Sequence, residues 1–282
     1  VGADAENPKS ADTGPATAAA VFPHTPDGPV VGVTTADTLE RQPLPGTQPV
    51  YSIDFAESTD VNYDNWPDHW TRRVGSGFPA YSKMEIVAES SPHSPRSLLA
   101  EIDGGGVAAF SPPIPISTLF GHVLEVWVRA AGIEHDRVFT TLSLFDSRNK
   151  LLHIERSAEI VPGSDWRLLR LGPLDLDLPQ AESAVVGLHV EPREKSDLNA
   201  KVWFGKIHLG RLPRLSVRLN RPHGLYARGE AVRAEYTAAG IRPQTPPLEL
   251  EIRSGSCWAR HPVKCWSATR PPPTSINWQW QH

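Results

Sequence analysis

Gly121–Ala130 reads GHVLEVWVRA, and this stretch decides the fold. Two kinds of side chain alternate along it: Leu124, Val126 and Val128 against Glu125, Trp127 and Arg129. A period of two places one set on a core face of a β-sheet and the other set on its outer face. Similar runs recur on both sides of this stretch, separated by Gly, Pro, Asp and Ser, so the sequence predicts an all-β chain.

Short strands are predicted along most of the chain, at fairly regular spacing. They are Val50–Phe55, Met84–Ala88, Leu98–Ile102, Val123–Arg129, Val138–Phe145, Leu151–Ser157, Trp166–Leu171, Ala184–Glu191 and Lys201–Leu209. No stretch has a convincing helical period of 3.6 residues. This pattern favours a β-sandwich over residues 49–215.

The flanking regions differ from this body. Residues 1–48 are rich in Ala, Pro, Thr and Gly, which predicts a disordered leader. Three further strand candidates follow, Leu215–Leu219, Val232–Thr237 and Leu248–Ile252, and residues 216–253 are predicted to begin an immunoglobulin-like unit. Residues 254–282 show no alternation, so we expect either the aberrant terminus of a longer protein or a Trp-rich tail closed by a Cys257–Cys265 disulfide.

Charge and composition restrict the partners. The formal net charge is −4 and the pI is about 6.3, so no basic field for nucleic acid is expected. No apolar run approaches the roughly 18–20 residues that a membrane helix requires. Two cysteines in 282 residues imply no disulfide framework, which fits a periplasmic or secreted module as well as a cytosolic one.

A family resemblance rests on the order of several short motifs. They are Ile53–Phe55 (IDF), Pro95–Ile102 (PRSLLAEI), His122–Ala130 (HVLEVWVRA), Ser164–Gly172 (SDWRLLRLG), Ala184–Pro192 (AVVGLHVEP) and Val202–Gly210 (VWFGKIHLG). In this order they resemble the galactose-binding-like jelly rolls that occur as carbohydrate-binding modules beside bacterial secreted glycosidases. The resemblance implies a jelly-roll β-sandwich in a periplasmic or secreted protein, with a polysaccharide and neighbouring domains of a longer chain as partners.

The same resemblance bears on a structural calcium ion. Such modules commonly end in a strand with an acidic pair beside the acidic end of the first strand, and this arrangement often supports calcium. Here Gly205 and Lys206 stand where the acids would be, and a lysine repels a divalent cation. Asp54 and Glu57 remain the candidate oxygen ligands.

Two regions supply candidate sugar-binding residues, because flat aromatic rings cover the C–H surface of sugars while polar groups bind hydroxyls. The first is the loop between Tyr63 and Tyr81, with Trp66 and Trp70 between them. This loop is either a ligand platform or a small hydrophobic core that closes one end of the sandwich.

The second region is the outward face of the strands. It is predicted to carry Glu125, Trp127, Arg129, His189 and Glu191, together with His153 and Glu155 opposite Leu152 and Ile154. These side chains form either a shallow binding groove or a solvated face with cross-strand ion pairs. Trp166 and Trp203 are predicted to pack in the core or at its rim.

No catalytic motif is present. The chain lacks a Gly-x-Ser-x-Gly elbow, a His-Glu-x-x-His pair and a P-loop. We therefore expect a non-catalytic carbohydrate-binding module. The alternatives are a structural spacer that binds nothing small and the N-terminal fragment of a glycoside hydrolase.

Overall fold

A computed structural model describes residues 47–160, 163–221, 232–240, 248–254, 257–263 and 274–278. The first half of the sandwich contains β1 (Gln48–Ile53), β2 (Thr71–Arg72), β3 (Lys83–Val87), β4 (Ser97–Asp103), β5 (Val107–Phe110) and β6 (Ile114–Pro115). The second half contains β7 (Gly121–Ala131), β8 (Arg137–Phe145), β9 (Leu151–Arg156), β10 (Gly163–Leu174), β11 (Ser183–Glu191) and β12 (Leu198–Leu212). One short 3-10 helix, Glu57–Thr59, follows β1.

The chain folds as a jelly-roll β-sandwich of two six-stranded sheets, which confirms the predicted fold class. Sheet A has the order β10-β7-β12-β4-β3, with β1 also paired along β12. Sheet B has the order β2-β5-β11-β8-β9, with β6 also paired along β11. The long strand β12 therefore has β7 on one side and both β4 and β1 on the other.

The core lies between the two sheets. Leu124, Val126 and Val128 of β7 are fully buried and belong to one hydrophobic cluster with Leu142 and Leu188 of sheet B. The alternation in Gly121–Ala130 is thus correctly interpreted, since its aliphatic set faces the opposite sheet. Burial of each such leucine or valine contributes roughly 1.5–3 kcal/mol to folding.

The outer-face prediction needs two corrections. Glu125, Trp127 and Arg129 lie on sheet A, whereas His189 and Glu191 lie on sheet B, so the two groups are on opposite outer faces of the sandwich. His153 and Glu155 of β9 pair with the core residues Leu144 and Leu142, so they share the inner face and not the outer one. The strand prediction for β9 is confirmed and Leu152 packs against the core as expected, whereas the predicted outward direction of His153 and Glu155 is wrong.

Further strands follow the sandwich. They are β13 (Arg214–Leu219), β14 (Val232–Ala239), β15 (Leu248–Ser254), β16 (Cys257–Val263) and β17 (Thr274–Trp278). The order β13-β14-β17 forms one sheet, and β15 pairs with β16. β16 and β17 lie in the stretch expected to be irregular. The leader up to residue 46 and Cys265 lie outside the described residues.

Candidate functional site

The residues singled out from the sequence occupy three separate places. The first is the loop after β1, where Trp70 is 5% exposed and packs against Phe55, with ring centroids 6.2 Å apart. The indole N–H of Trp66 donates to the carbonyl oxygen of Trp70 at 3.0 Å, and that of Trp70 donates to the Tyr51 hydroxyl at 3.3 Å. Both tryptophans pack on the core, so the small-core interpretation of this loop is favoured for them.

The two tyrosines of this loop have a different environment. Tyr63 is 77% exposed and Tyr81 is 71% exposed. The Tyr81 hydroxyl donates to the carbonyl oxygens of Asp103 and Gly104 at 3.4 and 3.5 Å. Of the predicted residues in this loop, the tyrosines are therefore the most exposed, whereas Trp66 is half-buried and Trp70 is buried.

The second place is the outer face of sheet A, where two tryptophans lie against Arg129 and a third, Trp127, lies on the same strand as Arg129. Trp203 of β12 is directly opposite Arg129 of β7, and the Arg129 guanidinium lies 4.1 Å from the Trp203 ring centroid. The same guanidinium lies 5.2 Å from the ring centroid of Trp166 on β10. Trp166 and Trp203 are partly exposed. We call Trp127, Trp166, Trp203 and Arg129 the tryptophan platform.

A loop partly covers this platform. Ser91 is packed so closely on Gly205 that a Cβ atom at Gly205 would lie 2.5 Å from the Ser91 Cβ. From the same loop His93 contacts Trp127, with ring centroids 6.0 Å apart, and Glu89 forms an ion pair with Arg129. Trp127 is consequently only 8% exposed. The expectation that Trp127 is an open ring is therefore wrong, because a loop distant in sequence covers it.

Ion pairs balance the charges on this face. Glu125 is buried and accepts from Arg170 at 2.8 Å, which removes it from the open groove that the sequence predicted. Lys201 pairs with Glu101 at 2.8 Å, and Lys83 pairs with Glu85 at 2.5 Å. Together with Arg129 and Glu89, these pairs make the face close to neutral.

The third place is the outer face of sheet B, centred on His189. Its Nε2 lies 3.0 Å from the Thr141 hydroxyl, and its Nδ1 lies 3.1 Å from a carboxylate oxygen of Glu191. Burial lowers the pKa of His189, so we assign a neutral ring that donates from Nδ1 to Glu191 and accepts from Thr141 at Nε2. His189 and Glu191 are 2% and 8% exposed, so these two residues do not line an open groove.

Glu191 is ionised in this environment. Burial alone would raise the pKa of its carboxyl group, but the hydrogen bond from His189 and the charge of Arg137 outweigh burial and lower the pKa to about 2. Arg137 approaches the second carboxylate oxygen at 3.1 Å. Arg137 and Glu191 are directly opposite in the β8–β11 pairing, which is why the pair forms.

The residues proposed for calcium do not fit that ion. The Glu57 carboxylate accepts from Arg96 at 3.1 Å, so a cation already neutralises it. One carboxylate oxygen of Asp54 accepts from the backbone N–H of Ala56 at 3.2 Å. The part of the chain that the structure describes contains no group of three or more His, Cys, Asp or Glu side chains that could hold a metal. Calcium prefers six to eight oxygen ligands, so we derive no role for it here.

Comparisons with known proteins gave matches among solved structures alone. No model of a known protein family matches the chain, and no curated protein matches it. The enzymatically active domain of bacteriophage CBA120 tailspike protein 4 is similar at 12% identity over 58% of this chain and 22% of that chain, with a TM-score of 0.43. The chain thus spans about a fifth of that domain's length.

Two smaller structures match over nearly their whole length. The CBM22-1 xylan-binding domain from Paenibacillus barcinonensis Xyn10C is 12% identical over 59% of this chain and 96% of that chain, with a TM-score of 0.40. The family 16 carbohydrate-binding module-2 is 18% identical over 56% of this chain and 99% of that chain, with a TM-score of 0.34. Separately, no helix among the described residues is long and apolar enough to cross a membrane.

Proposed function

We propose that this chain is a non-catalytic carbohydrate-binding module and that the tryptophan platform receives the glycan. The observation that carries the proposal is the row Trp166–Arg129–Trp203 across three neighbouring strands, with both rings partly exposed on an outer sheet face. Flat indole rings cover the C–H faces of sugars, and the adjoining charged pairs supply hydrogen-bonding groups for hydroxyls. The near neutrality of the face suits an uncharged polysaccharide.

The domain organisation is part of the proposal. Residues 49–215 act as the binding module, residues 216–253 begin an immunoglobulin-like unit, and residues 1–48 and 254–282 are a leader and a tail. The module serves as an accessory domain of a larger exported protein in the periplasm or outside the cell. In this proposal the module binds the glycan and does not cleave it.

Affinity electrophoresis on neutral polysaccharides tests this proposal. The panel contains xylan, mannan, β-glucan and galactan, and isothermal calorimetry with oligosaccharides follows for any polymer that retards the chain. We expect Trp203→Ala and Trp166→Ala each to weaken binding about tenfold or more, since each removes one stacking ring. The matched control is Tyr63→Ala, which removes an aromatic ring that is 77% exposed, more than either tryptophan, at a different place.

The result that overturns the proposal is equally specific. If no glycan retards the wild-type chain, or if both tryptophan variants bind as the wild type does, the platform is not a glycan site. The sandwich then acts as a structural spacer, the alternative to binding. Circular dichroism and thermal unfolding of each variant establish that the sandwich is intact when binding is measured.

A further inference from the structure

The outer face of sheet B bears a cluster of three arginine side chains that the proposed function does not use. Arg156 lies over the Phe139 ring, with its guanidinium carbon 3.7 Å from the ring centroid, and that of Arg137 lies 5.7 Å from the same centroid. Arg193 reaches this group through Glu159, which forms ion pairs with both Arg156 and Arg193. We call Arg137, Arg156 and Arg193, with Glu159 and Glu191, the arginine surface.

Positive charge exceeds negative charge on this surface. Three guanidinium groups share two carboxylates, because Glu159 serves two arginines and Glu191 pairs with Arg137. Burial and then the neighbouring charge of Arg137 lower the pKa of Arg156, which means that the two cations repel each other. The buried Nε atoms of Arg137 and Arg156 have no hydrogen-bond acceptor among the described residues.

The rings beneath these guanidinium groups cannot stack on a sugar. Phe139 is fully buried and His189 is 2% exposed, so the arginine side chains are the outermost layer. The side chains of Arg193, Arg137 and Arg156 are 60%, 26% and 11% exposed, so Arg193 meets solvent most and Arg156 least. The chemistry that this surface offers is therefore ionic, in contrast to the aromatic chemistry of sheet A.

We propose that the arginine surface binds the acidic sugar residues of an anionic glycan, which carry carboxylate or sulfate groups. A planar guanidinium donates two parallel hydrogen bonds to a carboxylate or a sulfate, and an additional anion relieves the repulsion between Arg137 and Arg156. The inference rests on the proposed function, that the chain binds glycans. It adds a second face and a second class of sugar.

Isothermal calorimetry on the full chain tests the inference with four probes of similar length. They are an oligogalacturonate, its neutral methyl ester, a sulfated galactan oligosaccharide and a single-stranded DNA. We expect the oligogalacturonate or the sulfated oligosaccharide to bind, the methyl ester to bind at least tenfold more weakly, and the affinity to fall as NaCl rises from 50 to 300 mM. Comparison of the two acidic probes identifies the anionic group.

Variants assign the binding to this surface. We expect Arg156→Gln and Arg193→Gln each to weaken acidic binding about three- to tenfold, while the exposed Arg148→Gln in the turn after β8 leaves it unchanged. Arg156→Lys keeps the positive charge but removes the planar guanidinium that donates two parallel hydrogen bonds. We therefore expect an intermediate loss of affinity for the acidic probe. Arg193 is mostly exposed, so its variant keeps the test valid if Arg156→Gln fails to fold.

The inference is overturned if the acidic probe and its methyl ester bind equally, if the DNA binds equally, or if binding of the acidic probe survives both glutamine variants. Loss of acidic binding in Trp203→Ala but not in the arginine variants would place the acidic sugar on sheet A, which also overturns it. Neutral glycan binding without acidic binding overturns this inference and leaves the proposed function standing. If the acidic probe binds through the arginines and no neutral glycan binds, this inference stands and the assignment of a glycan to the tryptophan platform is overturned.

Discussion

The imidazole ring of His189 stacks on the phenyl ring of Phe139, with centroids 4.7 Å apart and planes 5° from parallel. The two residues are directly opposite in the β8–β11 pairing, so the sheet itself sets the stack. Phe110 meets the same imidazole edge-on at 5.4 Å. With Thr141 and Glu191 bound to its two nitrogens, the ring is held from four directions, which is expected to make it rigid and neutral.

Gly187 is required for this arrangement. A Cβ atom there would lie 2.6 Å from His189 Nε2 and closer still to the Thr141 hydroxyl, so it would occupy the space of their hydrogen bond. Gly187→Ala is expected to lower the free energy of unfolding by about 2–3 kcal/mol, through overpacking and a lost buried hydrogen bond. Urea denaturation at pH 7 measures this change.

Gly121→Ala is the matched control for that experiment. Gly121 also lies in a strand, but the nearest atom to an added Cβ is 3.5 Å away, which is ordinary contact. We expect a change below about 1 kcal/mol for this variant. Equal losses for the two alanine variants would mean that close packing around His189 is not the cause.

Asp136 is predicted to destabilise the fold at neutral pH. Burial raises the pKa of its carboxyl group to about 6, although a backbone hydrogen bond from Asp197 opposes the shift. The pKa in the folded state is above the ordinary value of 3.8, so the folded state binds a proton more tightly than the unfolded state does. The contribution of Asp136 to stability is therefore fully present below pH 3.8 and is lost as pH rises through about 6.

Asp136→Asn removes this penalty. The free energy of unfolding of the variant is expected to exceed that of the wild type by about 1–2 kcal/mol at pH 8. The difference becomes progressively smaller as pH falls to 4, since the amide carries no charge at any pH. Denaturation at several pH values measures the difference. Asp197→Asn is the contrasting variant: its carboxylate accepts backbone N–H groups of Glu134, His135 and Asp136 at 2.9, 2.9 and 2.8 Å, so we expect a loss at all these pH values.

His122 gives an opposite pH dependence. Burial, then the charges of Arg211 and Arg214, lower the pKa of its imidazole from 6.5 to about 4. Below pH 6.5 His122 is therefore protonated in the unfolded chain while it stays neutral in the folded chain. Its contribution to stability falls as pH drops from 6.5 to about 4. The loss amounts to about 3 kcal/mol at the lower limit.

His122→Gln is the variant that isolates this group. We expect its free energy of unfolding to fall by less than that of the wild type between pH 6.5 and 4. Parallel curves for the two proteins would show that other groups cause the acid sensitivity. His69, an exposed histidine outside the sheets, supplies the control variant His69→Gln, which removes an imidazole that the sheets do not bury.

The strands of the sandwich are local features, and local sequence largely predicts them. Alternation in Gly121–Ala130 identifies both the buried set and the outer set of β7. Alternation does not say which sheet a strand joins, because strand pairing depends on contacts far apart in sequence. For this reason β7 and β11 were assigned to one outer face, although they lie in different sheets.

The candidate site could not be predicted from the sequence alone, because it depends on the register between strands and on a loop distant in sequence. Trp166 and Trp203 come together across β7 only through the register of three strands, so a packing role was the reasonable expectation for each alone. Trp127 is covered by a loop that lies more than thirty positions earlier in the chain, so the residues next to Trp127 in sequence do not indicate its burial. A stronger signal was Gly205 inside a strand pattern, since a strand glycine often marks a close approach of another segment.

Gly205 provides the last prediction, which concerns that loop. Gly205→Ala places a methyl group against Ser91 and 3.2 Å from the Trp166 ring, so the Ser91 loop must move off sheet A. We expect a loss of about 1–3 kcal/mol in the free energy of unfolding. Acrylamide quenching of tryptophan fluorescence should increase, because His93 and Glu89 leave Trp127 and Arg129 when the loop moves.

A second substitution separates Ser91 from other causes of that loss. Ser91→Gly removes the side chain that the new methyl group meets, so in the double variant the two changes should compensate. We expect the double variant to be more stable than the sum of the single losses predicts, by about 1 kcal/mol or more, as for residues in direct contact. Additive losses would mean that the methyl group is resisted by the Trp166 ring and not by Ser91.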